Sequence, residues 1–218
     1  MSRVADGTRR PAICWKCDVL RDLTEGPKVL GLRKTVWVVV AVAALWACGA
    51  VAARASDVCN GLVPAAARSA IEKQYPKFRL PLEADYDPTD IDDGEGGVQC
   101  LGIAKGSYHR GNGVEYALNI TSTKAPHTVL VVAYQSGATW QVELVWDWGS
   151  ATLGSVYAGT AAAGNYARTE TLEGPANEPG ERLAYKAGHD GVVSGRIGST
   201  GAAFFFNGKH WIHVWVSD

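Results

Sequence analysis

The chain has 218 residues, of which 47% are apolar and 20% charged, and its formal net charge is -1; that balance belongs to an ordinary globular protein and excludes a disordered, collagenous or coiled-coil chain. Charge is unevenly spread. Residues 1–34 carry eight Lys or Arg against four Asp or Glu, whereas residues 56–218 carry twelve against eighteen, so the body of the protein is acidic and offers no basic surface for nucleic acid.

In chain order, Arg33-Lys34 opens into eighteen uncharged residues, Val36 to Ala53, which end in Ala53-Arg54-Ala55. A basic start, an apolar stretch and a small-x-small site are the order of an export signal. The reading divides the chain into a basic N-terminal extension over 1–34, a signal sequence over 35–55 and a single mature domain over 56–218, and it predicts a periplasmic location. Two other readings of the segment stay open: Leu45-Trp46-Ala47-Cys48 is similar to a lipoprotein box, which would attach the protein to a membrane through Cys48, and eighteen apolar residues span about 27 Å as a helix, near the thickness of a bilayer core. Met1 is the only methionine, and the length of the extension fits a true start nearer Val29 or Leu30. Cys14-Trp15-Lys16-Cys17 is a CxxC, but no second pair completes four zinc ligands and no strand-helix unit surrounds it.

Past the signal the cysteines are Cys59 and Cys100, and an even pair in an exported chain predicts a disulfide. A closed loop of about 40 residues would contribute about 4 kcal/mol through the chain entropy of the unfolded state. Pro64 then precedes an Ala-rich stretch, Ala65 to Tyr75, which predicts one helix stopped by Pro76, with Leu62, Ala66, Ala70 and Ile71 turned inward.

From Val98 onward short runs rich in Val, Ile, Thr and aromatic residues alternate with Gly, Asn, Asp and Pro. They predict strands near 98–105, 114–122, 127–134, 138–147, 154–158, 191–198, 201–206 and 210–216. His127 to Tyr134 is apolar on both faces, as in a central strand, and Ser136-Gly137 turns it into a hairpin with 138–147. In that second strand Trp140, Val142, Leu144, Trp146 and Trp148 alternate with Gln141, Glu143 and Asp147, which predicts one apolar and one polar face. Asn207-Gly208 predicts a tight type I′ turn that would set Phe204 opposite Trp211. Between Thr160 and Ala187 the pattern weakens and a long irregular loop is expected. The fold class is therefore mostly β within α+β: an antiparallel β-sheet domain, sandwich or partly propeller-like, with one N-terminal helix.

Signatures of chemistry are sparse. The chain has no G-x-S-x-G elbow, no P-loop and no H-E-x-x-H. His210 and His213 fall on opposite faces of a strand, which argues against a shared metal. His189-Asp190-Gly191 reads as a turn. Glu143 and Asp147, about 13 Å apart along one strand face, are too far apart to form a two-carboxylate glycosidase pair unaided. No catalytic residue and no cofactor is predicted.

Glu83, Asp85, Asp87, Asp90, Asp92, Asp93 and Glu95 place seven carboxylates in thirteen residues, interleaved with Gly94, Gly96 and Gly97. Calcium is one reading of such a segment, but Gly94 stands at a ligand position of the EF-hand order; a solvated loop that attracts a basic protein partner is the reading preferred.

The run Gly106-Ser107-Tyr108-His109-Arg110-Gly111-Asn112-Gly113-Val114-Glu115-Tyr116-Ala117-Leu118 resembles the strand-loop-strand unit of FG-GAP/VCBS-like exported bacterial proteins, whose loop acids bind calcium. Ser107, His109 and Gly111 replace oxygen ligands of that unit, so the metal role carries over to Glu115 alone. Leu62-Val63-Pro64, the Cys100 to Ala104 segment and the ending from Ala203 to Asp218 extend the resemblance to small periplasmic proteins, some of them immunity proteins that block antibacterial effectors. The resemblance implies a non-catalytic inhibitor with a basic toxin or hydrolase as partner; the alternative is a carbohydrate-binding protein or hydrolase of the envelope.

Overall fold

A computed structural model describes residues 57–88, 90, 100–109 and 113–217. The extension, the signal segment, Cys14, Cys17 and Cys48 therefore lie outside the described residues, as do Asp92, Asp93 and Glu95. Two short helices open the domain, α1 (Val58–Leu62) and α2 (Ala65–Gln74). Asp57 caps α1 by accepting the Asn60 N–H at 3.3 Å. Pro64, whose φ is already fixed and whose nitrogen has no proton to satisfy, leads into α2. Ala67 and Ile71 are buried on α2, and Leu62 and Ala70 pack half-buried against the same core as expected, whereas Ala66 is exposed and Ala67 takes its place.

Sheet A joins β1 (Phe78–Arg79), β2 (Ile103–Gly106), β3 (Glu115–Ser122), β4 (Thr128–Ser136) and β5 (Thr139–Asp147). Its path runs β1-β3-β4-β5, with β2 pairing the other half of the same β3 edge. Sheet B contains β6 (Val156–Ala161), β9 (Gly191–Arg196), β10 (Gly201–Phe206) and β11 (Trp211–Ser217) in the order β11-β10-β9-β6. All the strand pairs are antiparallel. The expected irregular loop instead carries a two-stranded ribbon, β7 (Gly164–Ala167) with β8 (Ala184–Ala187), because Tyr166 and Tyr185 find a side to bury on Phe205.

Four layers result. The helices cover one face of sheet A, where Ala67 and Ile71 meet Leu118, Ile120 and Val131. The opposite face of sheet A packs on sheet B through Ala117, Leu130 and Val132 against Val156, Val192 and Phe204. The ribbon caps the far side of sheet B. Cys59 and Cys100 are joined with Cα atoms 5.3 Å apart and tie α1 to the segment entering β2. Among the described residues no helix is long and apolar enough to cross a membrane.

Two register details differ from expectation and both position the site. The pairing of β5 with β4 passes from Leu130↔Trp146 to Val131↔Leu144, so Val145 is a bulge. One extra residue inverts the alternation beyond it: Leu144, before the bulge, keeps the face of Trp140 and Val142 and is exposed, whereas Trp146 joins the inter-sheet core and Asp147 turns to the opposite face from Glu143, where it meets His127 at 2.9 Å. At the β10–β11 turn, Asn207 Oδ1 accepts the N–H groups of both Lys209 and His210, which opens the connection to four residues with Gly208 at φ +96°. Phe206, not Phe204, therefore faces Trp211, and Phe204 faces His213.

Candidate functional site

Polar side chains converge around His109, in the β2–β3 connection three residues past the end of β2. Glu115, the first residue of β3, is buried on the inter-sheet face. Its carboxylate accepts the Tyr108 N–H at 3.2 Å and the His109 N–H at 3.2 and 3.3 Å, so it folds the connection back on itself. The same carboxylate lies 2.8 Å from Nδ1 of His109. On the other side of the ring, Nε2 is 3.2 Å from Glu143 Oε2. Glu143 also accepts the Tyr134 hydroxyl at 2.8 Å and the Trp211 indole N–H at 3.2 Å.

A neutral imidazole can donate through one nitrogen only, so a ring between two carboxylates is at its best doubly protonated. Burial opposes the charge on His109, but the hydrogen bonds and charges of Glu115 and Glu143 prevail and raise its pKa above the ordinary value. Burial likewise opposes the charge on Glu143, and its donors Tyr134, His109 and Trp211 more than offset it, holding the carboxyl below its usual range. Tyr134 is pushed up to about 12 by burial and by the adjacent carboxylate. Around the ring stand Tyr134, stacked at 4.2 Å, Phe206 at 4.5 Å and Trp211 edge-on at 5.3 Å between centroids. This is an aromatic cage of the kind that takes cations, filled by the protein's own imidazole. Because Tyr134 and Glu143 belong to sheet A and Phe206 and Trp211 to sheet B and its turn, His109 pins the connection to both sheets.

The second candidate is a surface cleft of about 250 Å³ between residues 168–181 and β11, walled by Trp215, Arg168, Glu173 and Glu178. Main-chain bonds dock this segment along the open edge of β11: Thr169 N–H to Trp215 O at 2.9 Å, His213 N–H to Gly180 O at 3.1 Å and Arg182 N–H to His213 O at 2.8 Å. Gly180 has φ +85°, and a Cβ there would stand 2.9 Å from Trp211 O. Glu181, 6% exposed, accepts the N–H groups of Asn177 at 2.7 Å and Glu178 at 3.1 Å and pairs with Arg168 at 3.2 Å. Arg168 further donates to the carbonyls of Gly174 and Pro175. His213 is buried, 3.2 Å from Glu178 Oε2; burial lowers its pKa against the pull of that carboxylate.

The sequence-predicted acidic segment divides. Glu83 and Asp87 are exposed and Asp90 is half-buried. Asp85 is engaged within the fold: it pairs with both Arg79 amino groups at 2.6 and 2.7 Å and accepts the Leu82 N–H at 2.8 Å. Burial opposes its charge, but the Arg79 hydrogen bond, the Leu82 N–H and the Arg79 charge lower its pKa. His189 has its two ring nitrogens on the carbonyls of Asp190 and Phe206, at 2.7 and 2.9 Å, and so forms no pair with the Asp190 carboxylate. Among the described residues no three His, Cys, Asp or Glu side chains are grouped to hold a metal ion.

Sequence reasoning singled out Glu115 and weighed Glu143 only against Asp147. It missed His109 as the centre, and with it Tyr134, Phe206 and Trp211. The local half was there to find, in a His six residues before a strand-opening Glu within a Gly-rich connection; the other half depends on sheet packing. The chain matches no family of known proteins, no curated protein and no solved structure.

Proposed function

We propose that this is a periplasmic binding protein that acts without turnover, an inhibitor or immunity protein directed at a basic antibacterial effector such as a cell-wall-degrading enzyme. The observation that carries the reading is His109. A hydrolase of the triad type would set a nucleophile against Nε2 of a histidine oriented by a buried acid; here Nε2 faces a second carboxylate, Glu143, which speaks against that mechanism. Both acids are engaged with this one ring, which supports a fixed surface at this point. The acidic balance of residues 56–218 supports electrostatic capture of a basic partner. An envelope carbohydrate binder would present open aromatic platforms, whereas none of the described tryptophans is exposed.

The test is titration of the purified protein into assays of basic cell-wall hydrolases, with peptidoglycan and ester turnover by the protein alone measured in parallel. Stoichiometric inhibition without turnover is expected. Turnover abolished by a single substitution that leaves the fold intact would overturn the reading.

A further inference from the structure

Resting on that reading of a binder for a basic partner, we propose that the cleft between residues 168–181 and β11 seats one cationic side chain of the partner, a guanidinium or ammonium group, against Trp215 and between Glu173 and Glu178. Among the described residues that line the cleft, three carboxylates, Glu173, Glu178 and Glu181, stand against one cation, Arg168. Arg168 is committed to Glu181 and to the carbonyls of Gly174 and Pro175. Glu181 in turn is committed to Arg168 and two main-chain N–H groups. Among the described residues Glu173 forms no ion pair, and the one ring that meets Glu178, His213 at 3.2 Å, is buried among Trp146, Phe204 and Trp215, where burial opposes its charge.

Size and rigidity fit the same occupant. A volume of about 250 Å³ is that of several water molecules at about 30 Å³ each, enough for the head and part of the stem of a long side chain. Trp215 supplies an aromatic wall of the type that attracts cations. The walls are set before binding, because the segment is fixed to β11 by main-chain bonds at Thr169, Gly180 and Arg182 and internally by Glu181, so little ordering would accompany entry of a ligand. A neutral saccharide, the rival occupant of a tryptophan-walled cleft, would give its hydroxyls to the carboxylates but leave their charge unbalanced.

The Trp215 indole resonance, assigned through Trp215→Phe, reports the outcome in the purified protein titrated with N-acetyl-arginine amide, its uncharged citrulline counterpart and methyl N-acetylglucosaminide. Saturable movement with the arginine compound alone is expected, weakened about tenfold or more in Glu173→Gln/Glu178→Gln. The unchanged resonance of Trp140, on the other side of sheet A, would show that the fold is retained. No movement, an equal response to citrulline, or a response to the saccharide alone would overturn the proposal. Cleft and function fail separately: inhibition of a basic hydrolase undiminished by the double substitution sinks the cleft and leaves the inhibitor, while arginine binding in a protein that inhibits none sinks the inhibitor and leaves the cleft.

Discussion

His109 shows how much one side chain can fix. Its ring joins two acids and three aromatic residues drawn from both sheets, and each ring nitrogen has a carboxylate to offset the cost of a charge there. The folded pKa is raised above the unfolded value of about 6.5. The stabilisation from this pair is therefore fully present below about pH 6.5 and is lost as pH rises through the raised folded value. Replacing Glu143 by Gln should lower the His109 pKa, read from its ring resonances. Urea denaturation should find the variant less stable near neutrality, with the gap narrowing once both proteins have lost the proton. A variant with an unchanged His109 titration would show that Glu143 does not hold the ring. His213 carries the opposite sign, since its pKa is lowered: its contribution is complete above about pH 6.5 and declines as pH falls toward the folded value.

Elements were the most legible level of this chain, and the reasons are local. β4 is apolar on both faces because it lies between β3 and β5 and between the helical layer and sheet B, and that double burial shows as an unbroken run from Val129 to Ala133. The Cys59–Cys100 link could be read from the parity of the cysteines together with the expectation of export. What stayed hidden was register, which side-chain chemistry in turns and bulges decides: Asn207 capping two N–H groups widened one hairpin, and Val145 inverted the tail of β5. The ribbon β7–β8 was illegible because its strands are short and bury little beyond Tyr166 and Tyr185.

Two stability predictions belong to this level. Replacing Cys59 and Cys100 together by Ala should lower unfolding free energy by about 4 kcal/mol in the chain-entropy account, measured by urea melts of the oxidised protein and the variant; equal midpoints would deny the link a stabilising role. Phe204, 1% exposed in the inter-sheet core, should cost about 3–5 kcal/mol on truncation to Ala, and a loss under about 1 kcal/mol would mean that the sheets do not pack as described.

For the molecule as a whole, half of the candidate site could be read from the sequence and half could not. Glu115 and His109 share one connection, so their pairing is a local fact; Glu143, Phe206 and Trp211 reach the same point only when sheet A closes on sheet B. The acidic segment also needs the fold to be understood, because Asp85 is engaged by Arg79 and its loss would disturb the chain near β1. Glu83, Asp87 and Asp90 are the better set to neutralise. Changing them together to Gln and Asn halves the excess of six acids over residues 56–218. This should slow association with a basic partner more than it speeds dissociation, and added salt should slow the unmodified protein in the same way, since screening acts over about 8 Å at physiological ionic strength. Surface-plasmon kinetics that placed the change in dissociation would point to direct contact in place of steering.

The central claim, binding without turnover, is tested most directly by the rate of a basic cell-wall hydrolase on peptidoglycan as this protein is added in increasing amounts. The account predicts a fall to zero near equal molar amounts with the peptidoglycan otherwise untouched. A hydrolase rate that stays constant across basic enzymes of this class, or peptidoglycan cleaved by the added protein itself, would contradict it.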